Sequence, residues 1–264
     1  MLQINNVSKT FNPGTINEKK ALIDLSLHLN PGDFVTVIGG NGAGKSTMLN
    51  AVAGVWPVDS GSIIIDGINV TGESEHKRAK YIGRVFQDPM MGTAPTMQIE
   101  ENLALAMRRG QKRGLGWQIG KAEREEYREK LKELGLGLED RLTAKVGLLS
   151  GGQRQALTLF MATLQKPKLL LLDEHTAALD PTTAAKVLEL SDKLITENNL
   201  TAMMITHNMK DAINHGNRLI MMNEGRIIFD VEGEEKKKLT KHDLMDKFAE
   251  IAGQQLESDQ ILLT

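Results

Sequence analysis

At 264 residues the chain has room for one large α/β domain, or for such a core with a subdomain inserted in it. A formal net charge of −2, with both signs spread throughout, excludes nucleic acid from the expected partners, and the absence of cysteine excludes disulfides and Cys-ligated zinc and fits a reducing compartment. No apolar stretch approaches the ~20 residues of a membrane span, and the start, MLQINNVSKTF, lacks the basic and apolar regions of a signal peptide, so work at a membrane would go through a partner.

Residues 2 to 7 and 22 to 29 read as strands, the second because Ile23, Leu25, Leu27 and Leu29 alternate with Asp24, Ser26 and His28. The loop between them carries a lone aromatic, Phe11. After a turn at Asn30-Pro31-Gly32-Asp33, the β-branched run FVTVI (34 to 38) reads as a buried parallel strand. It leads into GGNGAGKST, residues 39 to 47, which meets the pattern G-x-x-x-x-G-K-[ST] with Gly39, Gly44, Lys45 and Ser46. Behind it Met48, Leu49, Val52 and Ala53 share one helical face, and Gly54 is a C-terminal stop. Strand, glycine loop and helix form a phosphate cradle: backbone N–H groups and the positive helix end face phosphate oxygens, the lysine reaches the terminal phosphates, and Ser46 can ligate magnesium. The alternative, a glycine-rich turn that merely caps a helix, is disfavoured by the flanking strand and helix.

SIIIDGINV (62 to 70) is a hairpin through Asp66-Gly67, so early antiparallel strands accompany the phosphate-loop unit and imply a mixed sheet. YIGRVF (81 to 86) is a strand that ends at Gln87-Asp88-Pro89. From about 95 to 150 helical patterns dominate, IEENLALAM and then KAEREEYREKLKEL, and predict a helical subdomain inserted in the sheet domain. The charged helix places Tyr127, Leu131 and Leu134 on one face and is otherwise a solvated surface, while RRGQKRGLG (108 to 116) is expected to be a loop.

LSGGQRQ (149 to 155) opens another helix, with Ser150 and Gln153 in a capping-box pattern and Pro167 stopping it after about Gln165. Gly151 and Gly152 are poor helix formers, by up to ~1 kcal/mol relative to Ala, and make sense there if a ligand approaches the backbone of a helix end suited to an anion. KLLLLDE (168 to 174) is a strand buried on both faces that ends in two carboxylates at the crevice where open α/β sheets bind ligands. Asp173 and Glu174 should point to opposite sides, Asp173 suited to magnesium and Glu174 to a base that polarises water. AALDP (177 to 181) begins a helix through about Glu197. TAMMIT (201 to 206) is a buried strand with His207 at its end, a residue that is either structural or functional on this evidence alone. RLIMMNEGRIIFD (218 to 230) is a hairpin through Asn223, Glu224 and Gly225, and from 231 to 264 a charged, weakly amphipathic helical extension follows, with EGEEKKK facing solvent.

Together these motifs, in this order and spacing, resemble the ATP-binding subunit of an ABC transporter over residues 2 to about 230: the loop GGNGAGKST, the glutamine of VFQDP, the signature LSGGQRQ, LLLLDE, the ALD loop and the TH switch. LSGGQ is the most specific of them, because it separates this family from other phosphate-loop ATPases. The resemblance implies an α/β phosphate-loop NTPase (RecA-like) core with a mixed sheet, an N-terminal antiparallel β subdomain and an inserted α-helical subdomain, the ATPase domain spanning 1 to 230. It implies ATP bound by Phe11, Gly39, Asn41, Gly42, Gly44, Lys45, Ser46 and Thr47, with Phe11 stacked on adenine or, alternatively, only a packed loop anchor. Mg²⁺ would be held by Ser46 and Asp173 and sensed by Gln87, Glu174 would be the general base, and His207 would contact the γ-phosphate and the attacking water.

The resemblance further implies a head-to-tail dimer, in which Ser150, Gly151, Gly152 and Gln153 of one copy close on the nucleotide of the other and Asp180 links the sites. It implies transmembrane permease subunits docked after Gln87 around residues 88 to 105, where Met90, Met91 and Met97 are either an adaptable contact or plain core filler. An extracytoplasmic solute-binding protein and a location at the cytoplasmic face of the plasma membrane go with an importer. An exporter ATPase and a soluble ABC protein are the alternatives. The chain departs from the family at His175 (usually Pro), Ala178 (usually Ser) and Met161 (often Arg), and no role is assigned to His175. DEHTAALDP, THNM and TAPTMQIEENLALA resemble ATPases of a bacterial importer group associated with tryptophan or tyrosine.

Overall fold

The computed structural model describes residues 1–110 and 119–250. In chain order its strands are β1 (Leu2–Phe11), β2 (Lys19–Leu29), β3 (Phe34–Gly39), β4 (Ser60–Ile65), β5 (Ile68–Asn69), β6 (Ile82–Val85), β7 (Leu169–Asp173), β8 (Thr201–Ile205), β9 (Arg218–Asn223) and β10 (Arg226–Glu232). The α-helices are α1 (Lys45–Ala53), α2 (Glu75–Arg78), α3 (Ile99–Met107), α4 (Lys121–Lys132), α5 (Gly151–Thr163), α6 (Pro181–Glu197), α7 (Met209–Asn214) and α8 (Gly233–Lys238). Residues 241–250 are helical as well.

The strands form two sheets. One is antiparallel, in the order β2-β1-β4-β5, and the other has the order β10-β9-β3-β8-β7-β6 and is parallel from β9 to β6, with β10 added antiparallel at one edge. β1 and β2 are longer than the alternation of side chains predicts. Asn6 and Asp24 sit at φ 47° and 48°, and the β1–β2 register shifts between Ile4 and Val7 and again between Val7 and Lys9. A bulge flips the alternation, which therefore reads as a strand end in the sequence.

The six-stranded sheet is buried on both faces, and alternate residues divide between two cores. Val35, Val37, Leu169, Leu171, Met203 and Ile205 face α1 and the antiparallel sheet. Leu170, Leu172, Ala202 and Met204 face the helical subdomain, where Leu103, Tyr127, Leu131, Leu157 and Leu188 close the second core. Tyr127 and Leu131 are buried as the charged-helix pattern predicts, and Met161 packs partly buried against the same core. The loop expected at 108 to 116 lies mostly outside the described residues.

In the C-terminal extension EGEEKKK faces solvent as expected except at Lys236, which is 2% exposed and whose ammonium donates to the carbonyls of His215 and Gly216, the latter at 2.9 Å. A buried lysine is tolerated only where carbonyl oxygens replace its water, and those oxygens come from a distant part of the chain, so charge patterning could not reveal it. Leu244 of the following helix is fully buried against Ala212, Leu219 and Met221.

Candidate functional site

The C-terminal ends of β3, β8, β7 and β6 stand side by side in the sheet, and they deliver the phosphate loop, His207, Asp173–Glu174 and Gln87 in that order. This edge is the place where an open parallel sheet binds ligands. Here the loop after β3 curls through glycines. Gly44 has φ 101°, and a Cβ on it would come within 2.6 Å of Ala21 O, so no other residue fits the turn into α1. α1 ends as the sequence predicts, at Gly54 in a left-handed conformation.

A cleft of about 300 Å³ is lined by Phe11, Lys19, Ala21, Asn41, Gly42, Ala43, Gly44, Lys45, Ser46, Thr47, Glu174 and His207. Lys45 is 5% exposed, and its ammonium donates to Gly39 O at 2.8 Å and Gly40 O at 3.0 Å. Burial pulls its pKa below the ordinary lysine value, while the charges of Glu174 and Asp173 oppose that shift. Glu174 leaves the end of β7 at φ 47° and its N–H donates to Ile205 O of β8. Its Oε1 lies 2.6 Å from His207 Nε2. Thus a lysine, a carboxylate and an imidazole from three elements converge on one cleft.

Asp173 and Gln87 line a neighbouring cleft with Asn50, Glu75, Arg84 and Phe86 instead. Burial raises the Asp173 pKa, and the Arg84 guanidinium, 3.7 Å away, is the main opposing influence. The two carboxylates border different clefts, and what separates them is the left-handed turn at Glu174, one residue past the end of β7. Gly39 borders a third cleft with Gly40, Thr206, His207, Met209 and Phe248.

Ser150, Gly151, Gly152, Gln153 and Asp180 lie outside the phosphate-loop cleft. Ser150 is the N-cap of α5, accepting from the Gln153 N–H at 3.3 Å, and Gln153 Oε1 accepts from the Ser150 N–H in return. Asp180 caps α6 by accepting from Thr183 N, and Pro181 opens that helix. Gly152 has an internal reason that the sequence did not show: a Cβ there would sit 2.2 Å from Thr183 Cγ2. Gly151 has more room, with Leu179 Cδ2 at 3.4 Å. His175 is 2% exposed and bonded to Ser191, away from the cleft lining.

Three site neighbours escaped the sequence reading. Trp56 meets Phe11 edge-on, with ring centroids 5.0 Å apart, and its rarity in a chain with two tryptophans was the available signal. Arg84, a charge inside a buried strand, bonds Asn50 Oδ1 at 2.7 Å and faces Asp173. Lys19, the first residue of β2, borders the phosphate loop, but in the sequence it is one of two adjacent lysines at the end of a stretch that reads as a loop, with nothing to single it out.

Comparison with known proteins gives a consistent picture. The family model described as ABC transporter matches residues 22–177. The chain is 45% identical over 249 residues to a tyrosine transport ATP-binding protein of Clostridioides difficile (strain R20291), covering 94% of this chain and 98% of that protein. It is 34% identical over 231 residues to a methionine import ATP-binding protein of Bartonella henselae, covering 86% of this chain but only 64% of that longer protein. Among solved structures, a dimeric ATP-binding cassette in a post-hydrolysis state bound to ADP and Pi matches with a TM-score of 0.74 at 30% identity, over 88% of this chain and 98% of that one.

Proposed function

Because this chain belongs to the ABC transporter family, as an ATP-binding and ATP-hydrolysing subunit, we propose that it energises a bacterial importer of an amino acid through the residues gathered at the ends of β3, β7 and β8. The observation that carries this reading is the convergence of Lys45, Glu174 and His207 on the phosphate-loop cleft. ATP would lie with its phosphates on the N–H groups of residues 39 to 47 and its base toward Phe11. Lys45 binds the β- and γ-phosphates, and bound phosphate oxygens would complete the coordination now provided by loop carbonyls. Glu174 accepts the proton of an attacking water, and His207, held against its carboxylate, orients that water and the γ-phosphate.

The donors Ser46, Asp173 and Gln87 are all oxygens, which fits magnesium, a hard cation that keeps water and phosphate in its shell. When bound, Mg²⁺ would neutralise charge developing on the transferred phosphoryl group. Ser46, Asp173 and Gln87 are three donors, fewer than the octahedral shell of magnesium needs, so water and the nucleotide would bring the rest of the ligand set.

Tyrosine and methionine in the names of the two relatives support an amino acid as the transported solute. The exposed Met90 and Met91 beside Gln87 support docking of a permease there, and a solute-binding protein on the other side of the membrane would complete the importer. Among the described residues no helix is long and apolar enough to cross a membrane. In this reading the chain attaches to the cytoplasmic face of the membrane through the permease.

Glu174→Gln tests the reading. The purified variant is expected to bind ATP with parental affinity in a titration while its hydrolysis falls by at least about a hundredfold, the range of a lost general base. Parental turnover in the variant would remove Glu174 from the chemistry.

A further inference from the structure

Helix α7 begins two residues after His207 and is six residues long, too short to hold an orientation by itself. The His207 side chain is 47% exposed, its ring is held by Glu174 Oε1 at 2.6 Å, and the backbone beyond it leads straight into this helix, so what grips the helix bears on where the ring sits. One grip comes from inside the core, where the Thr36 hydroxyl of the phosphate-loop strand donates to Ala212 O at 2.8 Å. The other comes from the C-terminal extension, at both ends of α7. Just beyond its C-terminal end, the buried Lys236 ammonium of α8 is held by the His215 and Gly216 carbonyls, placing a positive charge where the helix dipole is negative. Near its N-terminal end, Phe248 lines the cleft of about 230 Å³ shared with Gly39, Gly40, Thr206, His207 and Met209. Between these points Leu244 packs with Ala212, and Leu239 and Phe248 border the same core as Met209 and Ile213.

We infer that residues 233 to 250 form a clamp on α7, and that Lys236 and Phe248 are positioning residues that set His207 against Glu174 and the γ-phosphate. The inference rests on the role of His207 given above. It gives the extension, which the ATPase motifs do not reach, a part in the reaction. Phe248 packs against the core that holds Ala212 and lines one cleft with Thr206, His207 and Met209, while it is absent from the lining of the phosphate-loop cleft, so it would act through His207 and not on the nucleotide itself.

The test uses the full-length chain and steady-state ATP hydrolysis. Phe248→Ala is expected to lower kcat by about tenfold with the KM for ATP changed less than about twofold, the pattern of a misplaced group that does not bind substrate. Phe248→Leu keeps an apolar contact and should recover most of the loss. In a His207→Ala background, Phe248→Ala should cost nothing further, because residues acting through one group are not additive. Lys236→Met should show the same kcat-specific loss, with the parental KM. An unchanged kcat in Phe248→Ala, a further loss in the His207→Ala background, or a fall in kcat that tracks melting temperature across the variants would each overturn the clamp. Failure of the underlying reading looks different: His207→Ala would then hydrolyse ATP at the parental rate, whatever Phe248 does.

Discussion

His175 Nε2 lies 2.9 Å from the Ser191 hydroxyl, which itself donates to Val187 O at 2.8 Å, so the hydroxyl accepts from a neutral ring. Burial, with a smaller contribution from the nearby His215, pushes the His175 pKa down to about 4 from 6.5. The sign follows from which state binds the proton. Between pH 6.5 and 4 the unfolded chain takes up a proton on this ring that the native state refuses, so stability is fully present above about 6.5 and falls as pH drops toward 4. The full loss is on the order of 3 kcal/mol. Urea unfolding at a series of pH values should therefore show a steeper acid decline for the parental chain than for His175→Asn, and equal slopes would remove His175 as the cause. At this scale the sequence singled out Lys45 by its glycine loop and Glu174 by the apolar strand before it, and His207 only through the family resemblance. It was silent on Trp56, Arg84 and Lys236, whose partners Phe11, Asp173 and the carbonyls of His215 and Gly216 come from other elements.

Two site helices end on a buried cation supplied from elsewhere. Arg78, 2% exposed, donates to the Ala51 and Val52 carbonyls at the end of α1, as Lys236 does beyond α7. These cations satisfy carbonyls that a helix end leaves open, and they fix the helices that follow the phosphate loop and the switch histidine. Helix starts were legible, because the Ser150–Gln153 box and Asp180-Pro181 are local signals. Helix-to-helix fit was not. Gly152 belongs to the signature, and a Cβ on it would meet Thr183 Cγ2 of α6 at 2.2 Å, so the threonine would have to move to admit a methyl group. Gly152→Ala is expected to destabilise the chain by about 1–3 kcal/mol through overpacking. Thr183→Ser removes the Cγ2 and should restore most of that loss, as a shift of the denaturation midpoint would record. If the double variant is as unstable as Gly152→Ala alone, the steric account of this glycine is wrong and its need lies with a ligand.

On the scale of the molecule, the fold leaves the signature helix away from its own phosphate loop. Ser150 is exposed at the start of α5 and is not among the residues lining the cleft at Lys45, which come from β1, β2, the phosphate loop, Glu174 and His207. In the proposed head-to-tail reading a site that needs both would draw one of them from a second copy, and hydrolysis would require association. Glu174→Gln, by blocking hydrolysis, should hold the ATP-bound dimer together, and light scattering should show a mass that doubles on adding ATP and Mg²⁺. Adding Ser150→Arg to that variant places a bulky charge on the helix end that would meet the partner's nucleotide. The double variant should remain a monomer in ATP, while its affinity for ATP, set by the monomer's own loop, stays within about threefold of Glu174→Gln, a difference below 1 kcal/mol. A dimer that persists in the double variant would mean that Ser150 does not reach the partner's nucleotide. A collapse of monomer affinity would mean that the signature serves its own site, and the head-to-tail reading would fall with it.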